Sequence, residues 1–147
     1  MINFSELLRI CRLGKSTAKS HMKNLIEMAA VDGNFDLIEY DLLKAIAKRN
    51  NISEGQLKEI RNNPGSIQFE VPKDAKEKFN QLYDLVHMMN IDKSIHPEEQ
   101  KLSHIFAIKF GYHRDRVKEL IDTIQSNISN GQSHEEAMKR VAMLIAQ

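Results

Sequence analysis

Asp32, Asn34, Asp36 and Glu39 place four oxygen-bearing side chains within residues 32–39. Hard divalent cations such as Ca²⁺, Mg²⁺ and Mn²⁺ take carboxylate and amide oxygens from one short loop. This segment is therefore the candidate metal site of the chain. It opens like an EF-hand loop, with Asp-x-Asn-x-Asp, and then departs from it. The sixth position is Leu37 where the loop needs Gly, and the twelfth is Leu43 where it needs Glu. The same residues also have a structural use. Asp36 followed three residues later by Glu39 is a capping box, in which each side chain accepts from an otherwise unsatisfied N–H of a helix start. Asp32-Gly33 suits a tight turn, because Asp accepts from backbone N–H groups two residues on and Gly takes positive φ. Capping accounts for Asp36 and Glu39, at about 1 kcal/mol for the cap. It leaves Asn34 unexplained and Asp32 only partly explained. Capping without a metal is the preferred reading; a divalent cation at this first turn is the alternative.

The pattern recurs once, with Asp92 in the place of Asp32. Residues 25–60 lie over 85–120 without a gap. Leu25/Leu85, Met28/Met88, Asp32/Asp92, Glu39/Glu99, Leu42/Leu102 and Ala47/Ala107 are identical, and apolar type is kept at Ile26/Val86, Val31/Ile91, Phe35/Ile95 and Ile60/Leu120. Self-similarity at a fixed offset marks duplicated helical units that bury a shared core. In the second unit Asp92 and Glu99 are the candidate oxygen ligands. There His96 takes the cap position, Pro97 the first helical position where Pro is favoured, and Glu99 the box position. The sequence is thus read as one domain over 1–147, with repeats at about 20–62 and 80–122 and a last helix at about 133–146.

Elements must hold these turns, and helix signals dominate the chain. Gly is 6 and Pro 3, so breaks are few. Val117, Leu120, Ile121, Ile124 and Ile128 form one apolar stripe at i, i+3, i+4, i+7, i+11, with Gly131 just past its end. Ser133-His134-Glu135-Glu136 and Ser53-Glu54-Gly55-Gln56 are further capping boxes. The first thirty residues read as a helix broken near Gly14, and Lys73 to Asn90 as a long helix. Asn62-Asn63-Pro64-Gly65 stops the helix before it, and residues 63–72 form a loop that lays Ile67, Phe69 and Val71 on the core. The expected fold is an all-α bundle of about seven to eight helices.

Other chemistries fail on spacing. Gly14-Lys15-Ser16 lacks the earlier Gly and the strand of a phosphate loop, since position 9 is Arg9. His134-Glu135-Glu136 lacks the second His of a zinc-protease helix. His87, His96, His104 and His113 show no i, i+4 pair and read as surface residues. Cys11, the only cysteine, excludes an internal disulfide, suits a reducing compartment and reads as a small buried hydrophobe. Met22, Met28, Met88 and Met143 fall on apolar stripes and are expected in the core. The basic residues Arg9, Arg12, Lys15, Lys19 and Lys23 read as a solvated helix face, and a net charge of +1 argues against nucleic acid as a partner. No stretch approaches the roughly 20 apolar residues of a membrane span, and no signal-type apolar segment opens the chain. The expectation is a cytoplasmic, non-enzymatic protein.

Met28-Ala29-Ala30-Val31-Asp32-Gly33-Asn34-Phe35, followed by Glu39, resembles the signature of the tellurite-resistance TerB-like domains. The resemblance spans roughly residues 20–121. The second copy departs from it, with Lys93 in place of the Gly and Asn90 where a small residue is usual. It implies an all-helical fold, no catalytic activity, protein partners in stress-response assemblies, peripheral association with a membrane complex, and acidic turns that bind a divalent metal. The alternative function is a metal-free protein-interaction module.

Overall fold

Seven α-helices follow one another in the computed structural model, which describes residues 4–31, 37–91 and 95–146, with side chains for 16–31, 37–91 and 95–144. They are α1 (Phe4–Ala30), α2 (Leu37–Arg49), α3 (Glu54–Asn62), α4 (Ala75–Asn90), α5 (Pro97–Lys109), α6 (Val117–Ser129) and α7 (His134–Ala146). Single 3-10 turns at Pro64–Ser66 and Arg114–Arg116 precede the loop before α4 and the start of α6. There is no strand among the described residues, so the fold is all-α.

The helix bounds repeat at the offset of the sequence. α1 ends at Ala30 and α4 at the equivalent Asn90, and the bounds of α2 and α5 are equivalent at both ends. The C-termini of α2 and α5 close in the same way. Ile52 N donates to Ala47 O at 2.8 Å and Tyr112 N to Ala107 O at 3.2 Å, while Asn51 N donates to Lys48 O and Gly111 N to Ile108 O. This pairing of bonds is the Schellman cap, which requires a left-handed residue past the helix end. Asn51 (φ 60°) and Gly111 (φ 97°) supply it, and Gly131 (φ 69°) does the same after α6.

The loop crosses over the first helix. Ser16 and Thr17 donate to the Glu70 carboxylate, Glu70 N donates to Ser20 Oγ, and Lys23 Nζ donates to Ile67 O. Ile67 and Phe69 are partly buried against the core, and Phe69 stacks on Phe106 and Phe110 at centroid distances of 6.4 and 6.0 Å. Val71 remains exposed. The descending loop delivers α4 beside the base of α1. Thr17 and Ala18 border the same hollow as Glu77 and Gln81, and one turn further His21 meets Asp84. The two central helices therefore run parallel. Each residue advances about 1.5 Å along the axis, so Ala30 and Asn90 finish at one end of the bundle.

Packing follows the stripes. Met22, Leu25, Met28, Leu82, Leu85, Met88, Ile121 and Ile124 are fully buried. Ser53 and Gln56 close the expected box before α3, at 3.1 and 2.9 Å, and Glu136 N donates to Ser133 Oγ at 3.2 Å before α7. Three expectations are corrected. α1 is unbroken through Gly14, because one Gly inside a helix costs only about 1 kcal/mol. Met143 is 70% exposed, since the inward face of α7 is formed by Ala137 and Val141. Lys23 is held on the Ile67 carbonyl and does not lie on a purely solvated face. The side chains of Arg9, Cys11, Arg12 and Lys15 lie outside the described residues.

Gly111→Ala is expected to lower stability by about 1–2 kcal/mol, the cost of a side chain in the left-handed region. A Cβ there meets only Lys78 Nζ, at an ordinary 3.8 Å, so the loss is one of backbone conformation alone. Urea denaturation midpoints of the variant and the parent measure it.

Candidate functional site

The candidate turns open from the shared end of α1 and α4. Asp32, Asn34, Asp36 and Asp92 lie outside the described residues; Glu39 and Glu99 are described, and both are buried, at 1% and 2% exposure. Each is the third residue of its helix, the position a capping box requires. The second box is seen directly: His96 N donates to Glu99 Oε1 at 3.2 Å, and Pro97 opens α5. Glu39 and Glu99 thus occupy equivalent positions of the two units, each in the first turn of its helix. Oxygen is their only donor type, which is the chemistry a hard cation accepts. No group of three or more His, Cys, Asp or Glu side chains among the described residues is arranged to hold a metal by itself. A cation at this end would draw its remaining ligands from Asp32, Asn34, Asp36 and Asp92.

A second polar constellation lies deeper, and sequence reasoning missed it. Asp84, on the inward face of α4, is 4% exposed and receives two donors on one oxygen. His21 Nε2 of α1 lies 2.8 Å from its Oδ2, and Arg49, at the end of α2, donates to the same atom. His21 itself is 1% exposed. Its Nδ1 is buried without a hydrogen-bond partner, so the ring is sealed into the core on that side. The signal was available: His21 falls among Met22, Leu25 and Met28, and Asp84 beside Leu82 and Leu85, so both polar residues interrupt apolar stripes.

Around Asp84 the ionisable groups respond to burial. Phe79, Tyr83 and His87 form a run of rings along α4, and the first two pack on His134 of α7, with Tyr83–His134 at 4.7 Å and Phe79–His134 at 5.4 Å. Burial pushes the His87 pKa down; Asp84 opposes this in part and Arg49 adds to it. Burial, aided by Asp84, raises the Tyr83 hydroxyl. In the groove lined by Lys78 and Phe79, burial pushes Tyr112 up to about 12.

Two small hollows flank Arg49 and Asn50. One, of about 390 Å³, is bordered by Glu77, Asn80, Asp84 and His134; the other, of about 610 Å³, by Lys73, Asp74, Glu77 and Gln81. A further hollow, about 1100 Å³, is an open groove between α4, α6 and α7 floored by Phe79, Leu120 and Val141. No helix among the described residues is long and apolar enough to cross a membrane. No protein-family model matches the chain, and neither a curated protein nor a solved structure does.

Asp84→Asn is expected to lower stability by about 1–3 kcal/mol, since it weakens the acceptor of two donors in a buried site. Arg49→Ala is expected to cost under about 1 kcal/mol, because its side chain is 60% exposed and its charge is screened. Chemical denaturation of both variants checks the order. The pH dependence has a definite sign. His87 is harder to protonate when folded than when unfolded, where its pKa is about 6.5. The unfolded chain then binds more protons just below that pH, so stability falls as pH drops through the window. His87→Gln should flatten the denaturation midpoint against pH between about 6.5 and 5.

Proposed function

We propose that this chain is a non-enzymatic interaction module of TerB-like type, whose paired acidic turns respond to a divalent cation. One observation carries the reading: the parallel pair α1 and α4 ends in register, and the helices that follow, α2 and α5, each carry a buried carboxylate in the first turn, Glu39 and Glu99. Asp32, Asn34, Asp36 and Glu39 would hold the ion at the first turn, with Asp92 and Glu99 as the weaker contribution of the second. The ion would neutralise the clustered carboxylates and fix the turns as a docking face for protein partners. Ca²⁺, Mg²⁺ and Mn²⁺ fit the all-oxygen donor set.

The non-enzymatic part rests on the second constellation. The one buried His–carboxylate pair described is committed to structure: Asp84 Oδ2 already carries His21 and Arg49, and His21 borders none of the hollows described. An acid–base catalyst needs a group within reach of substrate. The metal-free module remains the competing reading, in which Glu39 and Glu99 are caps alone. Peripheral association with a membrane complex and a cytoplasmic setting belong to the same proposal.

Thermal unfolding with and without millimolar Ca²⁺, Mg²⁺ and Mn²⁺ separates the two. An ion that binds only the folded chain raises the melting temperature, and at 100 times its Kd it adds about 2.7 kcal/mol. The expected result is a rise with at least one ion that Asp32→Asn abolishes. Identical melting in every ion would leave the turns as caps.

A further inference from the structure

Glu77, Asn80, Gln81 and Asp84 fall at i, i+3, i+4 and i+7 of α4 and so share one face of that helix. This polar face borders the two hollows beside the end of α2. Arg49 and Glu77 belong to both hollows, Asn80 and Asp84 to the smaller, and Gln81 to the larger. At about 390 and 610 Å³ each has the size of a small-molecule site, for which about 300–1,000 Å³ is usual.

Much of the bonding capacity on this face is unspent. Gln81 is 1% exposed, and its Oε1 has no hydrogen-bond partner. Asn80 Oδ1 is also buried without a partner. A buried acceptor left without a donor is costly, so each calls for one. Both donors on Asp84 meet its Oδ2, which leaves Oδ1 without a donor among the described residues. Arg49 gives Asp84 a single nitrogen, and its side chain is 60% exposed, so the rest of its fork is open. The Glu77 carboxylate has no partner among the described residues. Arg49 and Glu77 thus border the same two hollows with opposite charge and do not pair, because Arg49 is drawn to Asp84. Lys73 and Asp74, the other charges of the larger hollow, are opposite in sign.

That inventory selects the ligand. A metal ion finds no group of three His, Cys, Asp or Glu side chains arranged for it among the described residues, and Arg49 repels any lone cation. A lone anion meets Glu77 and Asp84. A molecule that carries both charges meets neither objection. We infer that the polar face of α4 opposite Arg49 binds a free α-amino acid, with the carboxylate on the Arg49 guanidinium and the ammonium among Glu77, Asn80 Oδ1 and Asp84 Oδ1. An ammonium has three N–H donors for these three acceptors, and a carboxylate matches the guanidinium fork. The amino-acid side chain extends into the larger hollow, where Ala18 and Pro72 offer apolar contact and Gln81 a polar one. This site shares no residue with the acidic turns and needs no metal, so its failure and the failure of the cation reading are separate results.

Isothermal titration calorimetry at two temperatures reads the binding, in EDTA to exclude metals. The probes are glycine, L-alanine, L-glutamate, L-lysine and L-phenylalanine, taken to about 10 mM. Each binder is compared with the amine and the acid that lack one of its two backbone charges, such as phenethylamine and 3-phenylpropanoate for L-phenylalanine. At least one amino acid should bind with a Kd below about 1 mM, and both of its analogues at least about tenfold more weakly. Glu77→Gln should weaken binding by about tenfold or more. It should leave the melting temperature of the unliganded chain unchanged, because its carboxylate has no partner to lose. Arg49→Lys keeps a positive charge beside Asp84 but loses the fork, and should weaken binding as well. No binding of any of these amino acids at either temperature overturns the inference and leaves the hollows to water. So does an analogue with one charge that binds as tightly as its parent amino acid, or affinity that survives Glu77→Gln in a chain that melts like the parent.

Discussion

Asp84 holds the bundle together where its chains of contact cross. A carboxylate taken out of water is costly unless it is paired and hydrogen-bonded. Here one oxygen gathers His21 from α1 and Arg49 from the end of α2, while the carboxylate itself belongs to α4. Three helices are thereby fixed at one height. Sliding α4 along α1 by a turn would bury Asp84 without His21 and oppose an imidazole to an apolar side chain. The apolar stripes alone tolerate that shift far better, since Leu and Met repack with losses below about 1.5 kcal/mol. The polar contact thus sets the register, and the register brings Ala30 and Asn90 to the same end.

The duplication shows what has been kept and what has diverged. Helix ends and their caps recur at equivalent positions of the two units, with closely similar hydrogen bonds. The polar layer does not. The pair His21–Asp84 maps onto Gln81 and Asn24, two buried amides whose Oε1 and Nδ2 have no partner. Likewise Arg49 maps onto Lys109, which lies 5.1 Å over the Phe69 ring instead of reaching α1. One half is therefore stitched by charge, and the other by the stacked rings of Phe69, Phe106 and Phe110. A buried amide atom left unsatisfied costs about 1–3 kcal/mol, so the aromatic packing carries the second half against a polar deficit.

What was legible in the residues was whatever depends on short-range rules. The boxes at Ser53 and Glu99, the stripe from Val117 to Ile124 and the left-handed close at Gly131 each follow from neighbours in sequence. The gapless repeat also fixed where α2 and α5 begin. Three things were not legible. Continuity of α1 through Gly14 depends on a propensity cost too small to decide a break. The exposure of Met143 depends on which face of a short helix is covered. The meeting of His21 with Asp84 depends on the parallel pairing of two helices distant in sequence, which no local pattern encodes. The second turn was legible as a cap, through Pro97 and Glu99; that α1 and α4 end in register required the structure.

The sign of the field at that end follows from magnitudes. Each helix terminus carries about half an elementary charge, negative at the ends of α1 and α4 and positive at the starts of α2 and α5. These four contributions nearly cancel, so side chains decide the sign, and the side chains there are predominantly acidic. Glu39 and Glu99 lie buried in the first turns of α2 and α5, where the positive helix start favours a carboxylate. Under the proposed cation reading, a divalent ion would answer this surplus, and by linkage its binding and the stability of the folded chain would rise together.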